Sequence, residues 1–247
     1  MARSSFCSFG VRPFTLPRNA STEAPLAPVD PKNRALVFLH GTDPLEALPP
    51  GDIRAYNYTL AVDGALGYLL EHDRTPDAVV GDMDSVEPET LRRFEEDGGL
   101  VDRRNEQDTT DFEKALHHMH ESGRTEVDVT GFHGSRLDHM LAMFHAALQF
   151  ERKLQMRFID RVAEAQLVSG PGRVTIEGRA GHVCSVMPIL SGFGINIAGF
   201  RWPLTDAEMG FGDLISCSNE IVSDHAEVSL VNGALLIYMH REKGKAY

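Results

Sequence analysis

The chain has 247 residues, 42% of them hydrophobic, which is enough to bury the core of one or two domains. Its formal net charge of −12 argues against a surface for nucleic acid or anionic membrane, since both favour a basic face. No apolar run approaches the ~18 residues that cross a bilayer. The three cysteines are far apart and form no C-x-x-C, so we expect free thiols in a soluble, cytoplasmic protein.

Residues 1–33 are rich in Ser, Pro and Arg, which predicts a disordered extension. From residue 34, short apolar runs that predict strands alternate with segments of helical spacing. The predicted strands include 35–41, 58–64, 77–82 and 126–132, and the predicted helices are 65–73, 88–98, 109–123 and 137–150. This alternation predicts a parallel sheet with helices on both faces, and such sheets bind ligands at the carboxyl ends of their strands.

After about Pro171 the pattern changes to short β-type segments separated by Gly, Asn and Asp, with no helix of useful length. We therefore predict an α/β fold in which an N-terminal parallel-sheet domain, 34–165, precedes a smaller all-β sandwich or barrel, 166–247.

Aspartates gather where the predicted strands end. Asp63, Asp82 and Asp84 follow two of these strands, and Asp108 and Asp111 straddle the start of the third helix. Carboxylates held close together repel one another unless a cation lies between them, and Mg²⁺ prefers oxygen ligands completed by water and phosphate. The pattern indicates phosphoryl-type chemistry, although an acidic turn and ordinary helix capping remain alternatives.

A turn of small residues precedes the fourth helix in the segment GSRLDH. The guanidinium of Arg136 can donate two hydrogen bonds to one phosphate group. The small residues before it let a phosphate approach the N–H groups of a helix N-terminus. The alternative is a surface ion pair between Arg136 and Asp138. There is no G-x-x-x-x-G-K-[ST] loop, so a nucleotide would have to be held by another device.

The ordered set D-G, G-D-x-D-S, Q-D-T-T-D-F-E-K-A-L, G-S-R-x-D-H and S-C-S-N resembles the thiamine pyrophosphokinase (thiamine diphosphokinase) family, from about Leu36 to the C-terminus. The resemblance implies transfer of pyrophosphate from ATP to the hydroxyl of thiamine, with Mg²⁺ as cofactor, in a homodimer with shared active sites. It also implies that 34–165 binds ATP and magnesium and that 166–247 binds thiamine. The chain departs from the family's D-G-G-A-N with D-G-A-L-G, which puts a polar contact at Gly67 in doubt.

The resemblance also implies roles for individual residues. The expected catalytic residues are Asp63, Asp82, Asp84, Asp108, Asp111, Arg136 and Asp138. The expected metal ligands are Asp82, Asp84, Gln107 and Asp111. The expected ATP contacts are Gln107, Thr110, Ser135 and Arg136. The expected thiamine contacts are Ser216, Ser218 and Asn219. Which carboxylate acts as the base is left open.

Three other functions fit part of the pattern: a diphosphokinase for another hydroxymethyl heterocycle such as a pterin, a catalytically inactive thiamine- or nucleotide-binding module, and a metal-dependent phosphohydrolase. The adjacent histidines His117, His118 and His120 are expected on a solvated helix surface rather than around a metal. Trp202 is expected in the core of the β domain.

Overall fold

The computed structural model describes residues 34–42, 44–48, 52–134 and 136–244. The predicted N-terminal extension and the predicted ATP contact Ser135 lie outside these residues. None of the helices within the described residues is both long enough and apolar enough to cross a membrane.

The first part of the chain alternates strands with helices, as predicted. The strands are β1 (Arg34–Phe38), β2 (Tyr58–Val62), β3 (Ala78–Gly81), β4 (Leu100–Arg103), β5 (Glu126–Thr130) and β6 (Gln155–Ile159). The helices are α1 (Ala65–Glu71), α2 (Pro88–Glu96), α3 (Asp111–Glu121) and α4 (Leu137–Phe150). The six strands pair in parallel in the order β4-β3-β2-β1-β5-β6.

Helices cover both faces of this parallel sheet because successive strand residues point to opposite sides. Ala35 and Val37 of β1 pack in one cluster with residues of α3 and α4, whereas Leu36 and Phe38 pack in a second cluster with residues of α1 and α2. These apolar runs are buried on both faces, which is typical of parallel sheets. Asp63 and Asp82 come directly after β2 and β3 and therefore lie at the carboxyl edge of the sheet.

The second part is built from antiparallel strands. These are β7 (Ala163–Ser169), β8 (Gly172–Glu177), β9 (His182–Ala198), β10 (Leu204–Met209), β11 (Ser216–Glu220), β12 (His225–Leu230) and β13 (Asn232–Lys243). Strand β7 pairs with both β6 and β13, so hydrogen bonding continues from the parallel sheet into the β part. A separate apolar cluster fills this part. The predicted fold class is confirmed, and the boundary at residue 165 stays a prediction.

Two side-chain predictions are wrong. His118 is only 7% exposed: its Nδ1 lies 2.7 Å from Asp102 Oδ2 and its Nε2 lies 2.8 Å from Tyr58 Oη. It lies three residues after the buried Ala115 and therefore on the side of α3 that packs on the sheet. Trp202 is 59% exposed, because it lies in the connection between β9 and β10 rather than in a strand.

Candidate active site

A cleft of about 570 Å³ opens at the carboxyl edge of the parallel sheet. Its walls come from the segments that follow β1, β2, β3, β4 and β5 and from α3 and α4. Its lining includes the predicted site residues Asp63, Asp82, Gln107, Thr110, Asp111 and Arg136. It also includes side chains that sequence reasoning did not single out: His40, Ser85, Glu106, Thr109, Lys114 and His133. The structure thus brings most of the predicted α/β-domain residues to one place.

Close backbone contacts build the floor of this cleft. A Cβ atom on Gly41 would lie 2.0 Å from the carbonyl oxygen of Gly131, and one on Gly131 would lie 2.2 Å from the carbonyl oxygen of Leu39. Gly131 also has a φ of +74°, which residues with a side chain rarely adopt. The segments after β1 and β5 can therefore pass each other only because both positions are glycine.

Asp63 is held at the centre of the acidic edge by its backbone. Its φ is +46°, and its N–H donates to the carbonyl oxygen of Val80 at 2.9 Å. Its Oδ1 atom is buried and has no hydrogen-bond partner among the described residues. A buried, unpartnered carboxylate oxygen is costly, and this one belongs to a side chain that lines the cleft. Its environment suits a cation or a proton donor supplied by a ligand.

The segment after β3 turns sharply. Met83 has a φ of +69° and is buried, and the N–H of Asp84 donates to Asp82 Oδ1 at 3.1 Å. This turn directs Asp82 toward the cleft, whereas Asp84 is exposed and is not among its lining residues. Neither Asp84 nor Ser85 caps α2, because Glu87 holds the N-cap position.

A buried lysine lies among the carboxylates. Lys114 is 3% exposed, and its Nζ donates to Asp111 Oδ1 at 2.9 Å. Burial alone would lower the pKa of Lys114, but the hydrogen bond to Asp111 and the charges of Asp82 and Glu106 raise it. Lys114 is therefore a fixed cation in the acidic cleft. Its spacing of three residues from Asp111 on a helix is the sequence pattern that could have identified it.

Thr110 caps the first turn of α3, and with Glu113 it forms the T-x-x-E pattern that is typical of helix N-termini. The Thr110 hydroxyl accepts a hydrogen bond from the N–H of Glu113 at 3.2 Å. Thr110 and Gln107 line the cleft, whereas Asp108 is exposed and is not among the lining residues. Thr110 therefore both caps α3 and lines the cleft.

The ion pair that the sequence left open as an alternative is present. Arg136 donates from Nε and Nη2 to the two carboxylate oxygens of Asp138, at 2.9 and 2.7 Å. The guanidinium holds the pKa of Asp138 well below its usual range. Both side chains are about two-thirds exposed, and only Arg136 lines the cleft. Because solvent screens an exposed pair of this kind, Arg136 can leave Asp138 at little cost and bind another anion.

The oxygen donors of this cleft are chemically suited to Mg²⁺. Three or more His, Cys, Asp or Glu side chains grouped so that they could hold a metal ion do not occur in the described part of the chain. Magnesium does not require such a group, because it commonly binds one or two carboxylates together with water and substrate phosphates. The unpartnered oxygen of Asp63 supports the fit.

The predicted thiamine contacts lie apart from this cleft, in β11. Asn219 is 1% exposed, and its side-chain amide bonds the backbone of Trp202 through both its oxygen and its nitrogen. Ser218 is exposed with a φ of +53°, and its N–H donates to Ser185 Oγ at 2.9 Å. Ser216 Oγ accepts from Asn219 Nδ2 at 3.0 Å. The role of these three residues in binding thiamine stays a prediction.

The fold and the cleft define a class: an α/β protein with an acidic cleft at the carboxyl edge of its parallel sheet and an attached antiparallel β part. Comparison with known families is more specific. The model described as "Thiamin pyrophosphokinase, catalytic domain" matches residues 53–159, and the one described as "Thiamin pyrophosphokinase, vitamin B1 binding domain" matches residues 173–235. The chain belongs to the thiamine pyrophosphokinase family, which confirms the resemblance found in the sequence.

Individual relatives agree with this assignment. The chain is 30% identical over 162 residues to thiamine pyrophosphokinase 2 of Oryza sativa subsp. japonica, a match that covers 62% of this chain and 60% of the rice protein. It is 26% identical over 182 residues to thiamine pyrophosphokinase of Bacillus subtilis (strain 168), covering 72% and 85%. The solved structure of thiamin pyrophosphokinase from Geobacillus thermodenitrificans matches with a TM-score of 0.71 at 25% identity, covering 85% and 99%.

Proposed function

We propose that the protein transfers the pyrophosphoryl group of ATP to the hydroxyl of thiamine, giving thiamine diphosphate and AMP. One observation carries this proposal: in a chain of this family, three aspartates, a buried lysine and an arginine converge on one cleft at the carboxyl edge of the sheet. These residues are Asp63, Asp82, Asp111, Lys114 and Arg136.

The residues of the cleft supply the positive charge that this reaction requires. An uncharged alcohol must attack a phosphorus atom surrounded by negative oxygens, so charge neutralisation and positioning dominate catalysis. Lys114 supplies a fixed positive charge, and Arg136 supplies a fork of donors once it leaves Asp138. Magnesium, when bound, would neutralise phosphate oxygens.

In our proposal Asp82 and Asp111 hold this magnesium, with Asp63, Asp84 and Gln107 as further oxygen donors. Asp108 and Asp138 belong to the acidic rim, and Thr110 and Ser135 contact ATP. The support for these roles is the position of Asp63, Asp82, Gln107, Thr110 and Asp111 on the cleft wall.

The separation of the cleft from β11 leads us to include a homodimer with shared active sites in the proposal. Ser216 and Ser218 are not among the residues that line the cleft of their own copy. Next to them lies an exposed apolar segment in which Phe211 is 87%, Leu214 is 43% and Ile215 is 50% exposed. Apolar surface exposed in this way favours a protein partner, and a second copy could bring its own β11 to the cleft. Light scattering of the purified protein measures the mass, which should be twice that of one chain.

A mixing experiment tests the shared site. Asp82→Asn and Ser218→Arg variants should each be inactive alone and should regain part of the activity after they are unfolded and refolded together. Activity that stays absent in the mixture would contradict a site built from two copies. A cytoplasmic location is also part of the proposal, and its support is that Cys184 and Cys217 are free thiols.

The reaction itself is tested by measuring AMP from ATP and Mg²⁺ with and without thiamine. We expect AMP and thiamine diphosphate in equal amounts, and loss of both in Asp82→Asn and Asp63→Asn. Asp73→Asn is the matched control for Asp63→Asn, because Asp73 is an exposed aspartate that also has a positive φ, of +56°.

The other outcomes point to the alternative functions. AMP formed only with a hydroxymethylpterin would identify a different acceptor. ATP breakdown without any acceptor would identify a phosphohydrolase. Thiamine or nucleotide binding without AMP would identify an inactive module.

A further inference from the structure

A histidine that lies outside the aspartate motifs occupies the wall of the cleft. His133 stands between β5 and α4, and its Nε2 lies 2.7 Å from Asp160 Oδ2. The His133 side chain is 49% exposed, whereas that of Asp160 is 10% exposed. The largely buried carboxylate of Asp160 therefore holds the half-exposed imidazole of His133 at the wall of the cleft.

The carboxylate that holds this imidazole is itself rigidly placed. Asp160 directly follows β6, and its Oδ1 accepts hydrogen bonds from the N–H groups of Val162 at 2.7 Å and Ala163 at 2.6 Å. The hydroxyl of Tyr238 lies 3.5 Å from its other oxygen. Asp160 thus closes the turn between β6 and β7 with one oxygen and positions His133 with the other.

The orientation of the ring leaves one nitrogen for a ligand. Nε2 faces Asp160, and Nδ1 has no hydrogen bond to any residue that the structure describes. The ring also packs on Phe132, with centroids 4.6 Å apart. The hydrogen bond to Asp160 raises the pKa of His133, so the imidazolium form is favoured toward neutral pH. An imidazolium in this orientation offers its Nδ1–H to an anion.

We propose that His133 binds a phosphate group of the nucleotide by donating a hydrogen bond from Nδ1, with Asp160 as its positioning residue. This inference rests on the proposed function, because it adds a contact to the same cleft. It makes nucleotide affinity depend on pH: the contact is complete below the ordinary histidine pKa of about 6.5 and is lost as the pH rises through the raised pKa.

Other groups in the neighbourhood have to be separated from this effect. Asp160 faces His133 from the β6–β7 turn, and Tyr238 of β13 lies against Asp160 in turn. His40, Arg136 and His139 line the same cleft. Arg136 does not titrate in the relevant range, which leaves His40 and His139 as the competing histidines.

The test measures the affinity for α,β-methylene ATP with Mg²⁺ by calorimetry between pH 5.5 and 8.5. Relative to His133→Gln, the wild type should bind about tenfold more tightly at pH 5.5, the worth of one exposed hydrogen bond to a charged group, and this difference should disappear toward pH 8.5. The comparison between the two proteins is needed because the terminal phosphate of the nucleotide also titrates in this range and affects both alike. Asp160→Asn keeps an oxygen for Val162 and Ala163 but should move the fall in affinity to lower pH. His145→Gln, an exposed histidine of α4 outside the cleft lining, should match the wild type.

Side-chain NMR of the histidines gives a second readout that does not depend on activity. The His133 resonances should titrate at a higher pH in the wild type than in Asp160→Asn, and they should shift when the nucleotide is added. An affinity difference between the wild type and His133→Gln that does not change with pH, or a pH-dependent difference that is seen with His40→Gln or His139→Gln instead, would overturn the inference alone if thiamine-dependent AMP is still formed. A wild type that binds no nucleotide and forms no AMP would overturn the proposed function together with this inference.

Discussion

Replacing Gly131 with alanine should disturb the cleft without touching any charged residue. Gly131 has a φ of +74°, and a Cβ atom there would lie 2.2 Å from the Leu39 carbonyl oxygen and 2.9 Å from Pro44 Cβ. The Leu39 oxygen belongs to the backbone, so a rotamer change cannot relieve the contact. The segment that leads to Arg136 would have to move away from the segment that follows β1.

The magnitude can be worked out against a matched control. Gly123 has the same φ of +74°, but a Cβ atom there would meet nothing within 4 Å. Gly123→Ala should therefore lose only the strain of the left-handed backbone, about 1–2 kcal/mol of unfolding free energy. Gly131→Ala should lose this amount and about 1–3 kcal/mol more from overpacking.

Urea denaturation measures the two free energies of unfolding, and calorimetry with α,β-methylene ATP measures nucleotide affinity. Gly131→Ala should bind the nucleotide at least tenfold more weakly, whereas Gly123→Ala should bind it as the wild type does. Equal losses of unfolding free energy in the two variants, or unchanged affinity in Gly131→Ala, would refute the role assigned to the backbone contact at Leu39.

Three further changes test other parts of the structure. Lys114→Met should weaken nucleotide binding about tenfold, since the acidic cleft loses its fixed cation, and unchanged affinity in calorimetry would contradict that role. Asp128→Ala should cost about 3 kcal/mol of unfolding free energy, because the buried carboxylate accepts hydrogen bonds from two arginines and a tyrosine. Glu227→Ala is the control at a more exposed ion pair, and its unfolding free energy should stay within about 0.5 kcal/mol of the wild type. Burial alone would raise the pKa of Asp102, but the hydrogen bond from Arg104 acts against it, and the pKa is lowered. The ionised carboxylate of Asp102 therefore stabilises the folded protein above about pH 4, and this contribution is lost as the pH falls through the lowered pKa. Asp102→Asn should accordingly lose less stability than the wild type between pH 5 and 3 in thermal denaturation.

The fold was predictable because the strands and the helices have clearly different apolar patterns in the sequence. Runs such as residues 35–38 are apolar at every position, which is the pattern of strands buried on both faces, and the helices between them have a single apolar side. Parallel strands then place their carboxyl ends at one edge, so the positions of Asp63 and Asp82 follow from topology alone. The antiparallel part was likewise visible, because the β-type segments after about Pro171 are separated by Gly, Asn and Asp and have no helix between them.

The residues that sequence reasoning missed depend on contacts between distant segments. His133 acquires its orientation from Asp160, which lies 27 positions away in the chain. His118 is buried because it meets Asp102 of β4 and Tyr58 of β2, neither of which is near it in sequence. Spacing along one helix cannot reveal such partners. Lys114 is the exception, since its partner Asp111 lies one turn away on the same helix.

Backbone strain gives an argument for the site that does not depend on charge. Five non-glycine residues with positive φ occur in the described part of the chain, and Asp63, Met83 and Ser218 among them fall in three of the motifs that carry the family resemblance. Such conformations cost of order 1–3 kcal/mol each and persist only where surrounding structure enforces them. At Asp63 the backbone is held by the hydrogen bond from its N–H to the carbonyl oxygen of Val80, and the neighbouring Gly81 leaves room for it, since a Cβ atom there would lie 3.1 Å from that of Asp63. At Ser218 the positive φ falls within a register shift between Ser216 and Asn219 in the pairing of β11 with β9, and the N–H of Ser218 donates to Ser185 Oγ, so the strained backbone there is held by an irregularity of the strand pairing itself.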